Sequence, residues 1–217
     1  MNEPGKLRGM GEKTIQDFGD QWRHFPKNEG YYGSLELLRD ILQPLMSVED
    51  LRDMRIAEIG SGTGRVVRML HQAGAAEITA IEPSDAFHQL VENTNGMSVT
   101  CIHATGDGIP QENFDIVLSI GVIHHIPVPD SVLSAAYQAT RPGGRCLIWV
   151  YGREGNELYL LASRFLRLVC HRVPRRIVKV IAGLLVLPLS LYAFVCRHAR
   201  LPMSRYRNVS SRMRHLA

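Results

Sequence analysis

A chain of 217 residues with 45% hydrophobic and 21% charged positions has the make-up of a globular protein rather than a disordered one, and its length accommodates one full α/β domain with an appendage but not two large domains. The net charge of +4 hides a division: residues 1–150 carry 12 Lys+Arg against 19 Asp+Glu, whereas residues 151–217 carry 13 against 2, so the second part is suited to an anionic partner, nucleic acid or lipid headgroups. The polar stretch Met1–Gly11 lacks the apolar run of a secretory leader, which predicts a cytoplasmic location, and Cys101, Cys146, Cys170 and Cys196 lie too far apart for a metal site or a disulfide framework.

The cysteines are therefore expected to be reduced and mostly buried. In chain order, Phe18, Trp22 and Phe25 share one helix face until Pro26 interrupts it. The segment Gly33–Met46 then places Leu35, Leu38, Ile41, Leu42 and Leu45 at helical spacing behind Ser34, a side chain that caps helix N-termini. A strand and helix alternation follows. Strands are expected at Arg55–Ile59, Glu77–Glu82, Met97–His103, Phe114–Ile120 and Arg145–Tyr151, and helices at Gly64–Ala73, Asp85–Asn93 and Asp130–Thr140, the last capped by Asp130. Apart from Asp115 and Ser119, Phe114–Ile120 is a continuous apolar run, as expected of a strand covered on both faces. Arg141-Pro142-Gly143-Gly144 reads as the turn into the fifth strand. Five strands separated by helices or helix-sized links predict an α/β fold with a doubly wound, mostly parallel sheet. The expected organisation is an N-terminal helical cap over 1–50, a core over 51–152, and a basic, apolar helical extension over 153–217.

The junction of the first strand and its helix reads Ala57-Glu58-Ile59-Gly60-Ser61-Gly62-Thr63-Gly64-Arg65. Glycines there permit a tight turn and a close ligand approach, and the helix N-terminus presents unpaired N–H groups. Glu82 ends the second strand twenty residues after Gly62, where a carboxylate can accept both hydroxyls of an adenosine ribose. A dinucleotide fingerprint beginning at Gly60 needs glycine at position 65, which is Arg65 here. Glu58 would also repel a pyrophosphate but attract a ligand bearing an amino group and a sulfonium.

Glu58-x-Gly60-x-Gly62-x-Gly64, Glu82-Pro83, Phe114-Asp115-Ile116-Val117, His124-His125 and Arg141-Pro142-Gly143-Gly144 together resemble the class I S-adenosylmethionine-dependent methyltransferases, over roughly residues 50 to 152. The resemblance implies a Rossmann-like domain whose cofactor is S-adenosylmethionine. Its methionine part would lie on Glu58, Gly60, Ser61, Gly62, Gly64 and Arg65, and its ribose on Glu82 and Pro83. Thr105, Gly106 and Asp107 would approach the adenine, with Ser119, Ile120 and Gly121 as the floor. Many relatives carry an acid where this chain has Thr105, which leaves Asp107 as the nearby carboxylate. The usual sixth and seventh strands find no counterpart after Tyr151, so either the extension replaces them or the chain is truncated after Ala217, and an open sheet edge invites self-association.

Methyl transfer needs no covalent protein nucleophile, since the cofactor brings its own electrophile. A hydroxyl acceptor needs a base, for which His124 and His125 are the candidates, the alternative being that they only shape the pocket. Ser119-Ile120-Gly121-Val122 is not the Asn/Asp-Pro-Pro-aromatic sequence of exocyclic amino methylation, and no Pro-Cys pair is present. A small-molecule, glycan or lipid-linked acceptor is favoured over nucleic acid, and oxygen over nitrogen or carbon. Phe18, Trp22 and Tyr32 are candidates for a lid, or else for core packing. Residues 180–196 form a run of 17 uncharged positions containing Gly183 and Pro188, bordered by Arg175, Arg176, Lys179, Arg197 and Arg200. A peripheral membrane contact through 172–200 is favoured there over a spanning helix and over nucleic-acid binding. The alternative function is a non-catalytic cofactor-binding or membrane-associated interaction module, and an NAD-linked oxidoreductase ranks behind both.

Overall fold

The computed structural model describes residues 3–23 and 30–152, together with positions 160, 163, 164, 173, 174, 177, 178, 180, 183, 184, 188, 191 and 195. The chain divides into two units, Met1–Tyr151 and Gly152–Ala217. In the first, five strands, β1 (Arg55–Ile59), β2 (Glu77–Ile81), β3 (Val99–Ile102), β4 (Phe114–Ile120) and β5 (Thr140–Trp149), form one sheet of order β3-β2-β1-β4-β5. Every pairing is parallel. The strand order reverses between β1 and β4, and a crevice opens at the carboxyl ends of strands at such a switch point.

Helices α1 (Glu3–Arg23), α2 (Leu35–Leu42), α3 (Arg65–Gln72), α4 (Ala86–Asn93) and α5 (Asp130–Ala139) complete the unit. Alternation along the strands divides the core into two layers. Ile56, Ile78, Ile116 and Leu118 meet Leu38 and Leu42 of α2, Val67 and Leu70 of α3 and Leu90 of α4. Ala57, Ile59, Ile81 and Val117 turn the other way, onto Val132, Ala135, Ala136 and Ala139 of α5. The sheet is thus doubly wound, as expected, and the interior strand β4 is largely apolar because both layers cover it.

Ser34 caps α2 through its side-chain oxygen, which accepts from the Leu37 N–H at 3.3 Å. Four local expectations fail. Helix α2 stops at Leu42, where Gln43-Pro44 follows, so Leu45 lies outside the helix and is 74% exposed. Asp130 does not cap α5; it is the helix's first residue, and Pro129 occupies the cap without a side-chain bond. Arg141-Pro142-Gly143-Gly144 is not a turn preceding β5 but a bulge inside it. Register runs from Phe114 opposite Thr140 to Ile116 opposite Arg145, so the extra residues loop out of the ladder, with Gly143 at φ +78°. Cys146 is exposed rather than buried, because β5 is an edge strand, and Cys101 is half-buried. Phe25, Pro26, Cys170, Cys196 and the bordering Arg175, Arg176, Lys179, Arg197 and Arg200 lie outside the described residues. In the second unit the described positions 160, 163, 164, 177, 178, 180, 183, 184, 188, 191 and 195 are helical. No helix among the described residues is long and apolar enough to cross a membrane.

Candidate active site

The loop between β1 and α3 is built on glycine for steric reasons. Gly60 has φ +80°, and a Cβ there would sit 2.4 Å from Val122 Cγ2. Gly64, at φ +84°, precedes α3, and a Cβ on it would meet Leu90 Cδ1 at 2.9 Å. The N–H groups of Gly60 and Ser61 both donate to the Ile81 carbonyl, at 2.8 and 3.0 Å, so the turn is tied to the end of β2.

Glu82 strengthens that tie. It is 6% exposed; its Oε2 accepts from the Gly62 N–H at 2.7 Å, and its Oε1 accepts from the Ser84 N–H at 2.9 Å and the Ser84 hydroxyl at 2.5 Å. A carboxylate offers about four acceptor positions. These three bonds leave an acceptor position on Oε2 for a ligand hydroxyl.

Glu58 differs in kind. It is 2% exposed, and its Oε2 is the one buried side-chain polar atom among the described residues without a hydrogen-bond partner. Burial pushes its carboxyl up to about 8, with Glu82 adding to the effect and Ser61 and Arg65 opposing it. A carboxyl buried this way on a cavity wall favours a cationic ligand group, which would restore the charge and satisfy the free oxygen.

Both carboxylates line a cavity of about 590 Å³, within the range of pockets that enclose small molecules. Gly60, Ser61, Gly62 and Arg65 form one wall, Pro83 sits beside Glu82, and Thr105, Gly106 and Asp107 approach from the loop after β3. Ile120 and Gly121 contribute from the end of β4, and α1 adds Phe18 and Trp22. The Trp22 indole lies 3.3 Å from where a Gly62 Cβ would be, so the ring rests directly over the glycine turn. Four expected residues do not line the cavity. Gly64 stands behind the turn, at the start of α3. Ser119 is buried and donates through its hydroxyl to the Ile59 carbonyl at 3.3 Å, tying β4 to β1. Tyr32 is 44% exposed and meets the site only through Arg65, whose guanidinium carbon lies 5.8 Å from its ring centroid and whose Nη1 donates to its carbonyl at 3.3 Å.

The fourth is His124. Beyond Gly121 the chain makes a single 3-10 turn, Ile123–His125, in which successive side chains diverge by about 120°. His125 lines the cavity and meets Phe18 edge-on, with ring centroids 4.7 Å apart. His124 instead meets Tyr151 at 5.1 Å, and Tyr151 meets Trp149 at 4.9 Å. The two imidazoles are 4.0 Å apart. Partial burial, followed by the neighbouring His124, lowers the pKa of His125 below its ordinary value, which keeps it neutral near pH 7. Sequence reasoning missed Thr14 and Ile15 of α1, Ser84, and the run Val122, Ile126 and Pro127, all of which line the cavity. Only Ser84 had a signal, as a small polar residue two positions beyond Glu82.

A doubly wound parallel sheet with a glycine turn after its first strand, a partnerless buried acid within that strand and a carboxylate closing its second is the arrangement of the class I S-adenosylmethionine-dependent methyltransferases. Residues 57–148 match the family described as a methyltransferase domain. S-adenosylmethionine is the cofactor of the class, and the residues present fit it, since the partnerless Glu58 oxygen suits a cationic group and the remaining acceptor position of Glu82 suits a hydroxyl. The ubiquinone biosynthesis O-methyltransferase of Pseudomonas entomophila (strain L48) is 28% identical over 131 residues, 58% of this chain and 56% of that one. Its counterpart in Pseudomonas putida (strain GB-1) is 27% identical over the same shares of both chains. The chain thus spans just over half the length of these relatives. Among solved structures, an S-adenosylmethionine dependent methyltransferase from Mesorhizobium loti is similar at 24% identity and a TM-score of 0.42, over 45% of this chain and 46% of that chain.

Proposed function

We propose that the chain is an enzyme that transfers the methyl group of S-adenosylmethionine to an oxygen of a small-molecule or lipid-linked acceptor, with His125 as general base. The observation that carries this reading is a neutral imidazole on the wall of the cavity that holds Glu58 and Glu82. When bound, the cofactor supplies a methyl group made electrophilic by its sulfonium. Glu58 and the glycine turn anchor the methionine end, Glu82 holds the ribose, and Phe18 and Trp22 exclude water above them. His125 would take the hydroxyl proton of the acceptor on a ring nitrogen as that oxygen is methylated. His124 positions the base by packing against it. The two Pseudomonas relatives are O-methyltransferases, which supports the choice of acceptor atom.

The same reading puts the chain in the cytoplasm, in contact with the inner face of a membrane through 172–200. The test is incubation of the full chain with methyl-labelled S-adenosylmethionine in a membrane-containing extract. Label in an organic-extractable methyl ether is the expected result. Cofactor binding by calorimetry without any labelled product refutes catalysis and favours a binding module.

A further inference from the structure

The cavity wall carries the carboxyl groups of Glu12, Glu58, Glu82 and Asp107 and, among the described residues, a single Lys or Arg side chain, that of Arg65. Arg65 is half-buried. Its Nη1 donates to the Tyr32 carbonyl at 3.3 Å, and its guanidinium carbon lies 5.8 Å from the centroid of the Tyr32 ring. None of the ion pairs among the described residues includes it. Burial lowers its pKa, with Glu58, Tyr32 and Tyr151 opposing the shift. A guanidinium stays charged in a protein, and a charge partly withdrawn from water without a counter-ion is costly. The wall therefore favours an anionic ligand group at this point.

The surroundings of the guanidinium identify which anion. The methionine carboxylate of the cofactor belongs over the glycine turn, where the Trp22 indole covers Gly62. The guanidinium is drawn away from that turn, toward Tyr32, which is 44% exposed, and Tyr151, which is 70% exposed. Tyr151 in turn belongs to the wall of the proposed base. Its ring meets that of His124 at 5.1 Å and that of Trp149 at 4.9 Å, and His124 stands 4.0 Å from His125. Trp149 Cζ3 lies 4.0 Å from where a Cβ on Gly121, itself on the cavity wall, would be. One continuous rim of rings thus joins Arg65 to His125 beyond the ends of β4 and β5.

Resting on the oxygen methylation proposed above, we infer that Arg65 binds an oxyanion of the acceptor, a carboxylate or a phosphate, while His125 takes the proton of a hydroxyl on the same molecule. The substrate class is a hydroxylated acid. Either oxyanion can accept from the guanidinium fork two donors at a time, and the rings between the two residues supply an apolar surface for the carbon skeleton that links its hydroxyl to its acid.

The experiment takes the products labelled by wild type in the membrane-containing extract, in excess of those formed by extract alone, over an anion-exchange column. Retention at pH 7 is expected. Retention lost at about pH 2.5 identifies a carboxylate, which is neutral there, and retention kept identifies a phosphate. Labelled product that is not retained at pH 7 overturns the inference and leaves the enzymatic reading standing, whereas no labelled product refutes both. R65Q should bind S-adenosylmethionine within about twofold of wild type by calorimetry, yet transfer methyl about 10- to 100-fold more slowly at limiting extract, the scale of a lost charge-assisted hydrogen bond. R65K, which keeps the charge but not the fork, should fall between the two. A comparable loss of cofactor affinity in R65Q would give Arg65 to the methionine carboxylate and overturn the inference, as would an R65Q rate equal to wild type. The column result on wild type decides the substrate class whether or not R65Q folds.

Discussion

Replacing Glu58 with Gln is expected to stabilise the protein while impairing it. In the folded chain the Glu58 carboxyl stays protonated up to about 8, because burial penalises its charge; in the unfolded chain it ionises near 4.5, the ordinary value of a glutamate. Folding therefore takes up a proton at intermediate pH. The sign follows: below about pH 4 both states are protonated and nothing is lost, and as pH rises toward 8 the native state loses about 1.4 kcal/mol per pH unit relative to the unfolded one. At pH 7 the penalty is about 3 kcal/mol. Glutamine fills nearly the same volume and is neutral in both states, so E58Q should be more stable than wild type by up to that amount at pH 7. That corresponds to a melting temperature roughly 10 °C higher for a chain of this size. Near pH 4 the two proteins should be alike. Urea denaturation of both at pH 4, 5.5 and 7 reads the difference directly. Calorimetry should show weaker S-adenosylmethionine binding by E58Q, since a neutral amide cannot pair with a cation. Equal stabilities at pH 7, or a gain that persists undiminished at pH 4, would refute the argument that the carboxyl is held uncharged by burial.

E82A should weaken cofactor binding by about 1–3 kcal/mol, the scale of a lost charge-assisted hydrogen bond, as read by calorimetry; an unchanged dissociation constant removes Glu82 from the site. H125A should lower kcat by about 10²–10⁴-fold with little change in cofactor affinity, and undiminished turnover would assign the base elsewhere. In wild type, the acid limb of the kcat profile should fall below the ordinary histidine value of 6.5, because the lowered pKa keeps His125 unprotonated to lower pH; H124A should move that limb upward toward 6.5 by removing a neighbouring positive charge. G60A should destabilise by about 2–4 kcal/mol in thermal or urea unfolding, combining a left-handed backbone with a methyl placed 2.4 Å from Val122; wild-type stability would contradict the turn geometry.

The elements that were legible in the sequence were those in which local chemistry and tertiary demand coincide. Strand β4 is apolar at nearly every position because it is covered twice, and the glycine spacing of Gly60–Gly64 follows from positive φ and close contacts that no other residue satisfies. Glu82 was readable from distance along the chain, since one crossover helix separates the ends of adjacent parallel strands. What escaped depended on contacts without a local signature. Nothing around Arg141-Pro142-Gly143-Gly144 tells a turn from a bulge, because the residues that tolerate one tolerate the other. Ser119 lies on the strand beside Ile120, and strand alternation puts one under the floor and the other on it. His124 and His125 were inseparable as a pair of letters, and only the 3-10 turn directs them apart. The α1 wall was partly visible through Phe18 and Trp22, but Thr14 and Ile15 carry no mark of a ligand, since amphipathic spacing reports that a face is covered and not by what.

The carboxylate of Glu82 is a rivet as much as a receptor: it joins the Gly62 amide on one side to the Ser84 amide and hydroxyl on the other. Aspartate, one methylene shorter, could not bridge both, so even the gentlest acidic replacement would unfasten one loop. Shape and recognition in this cleft are therefore inherited as a single trait, and a lineage that abandoned the residue would have to rebuild its mouth before it could bind a nucleoside there again.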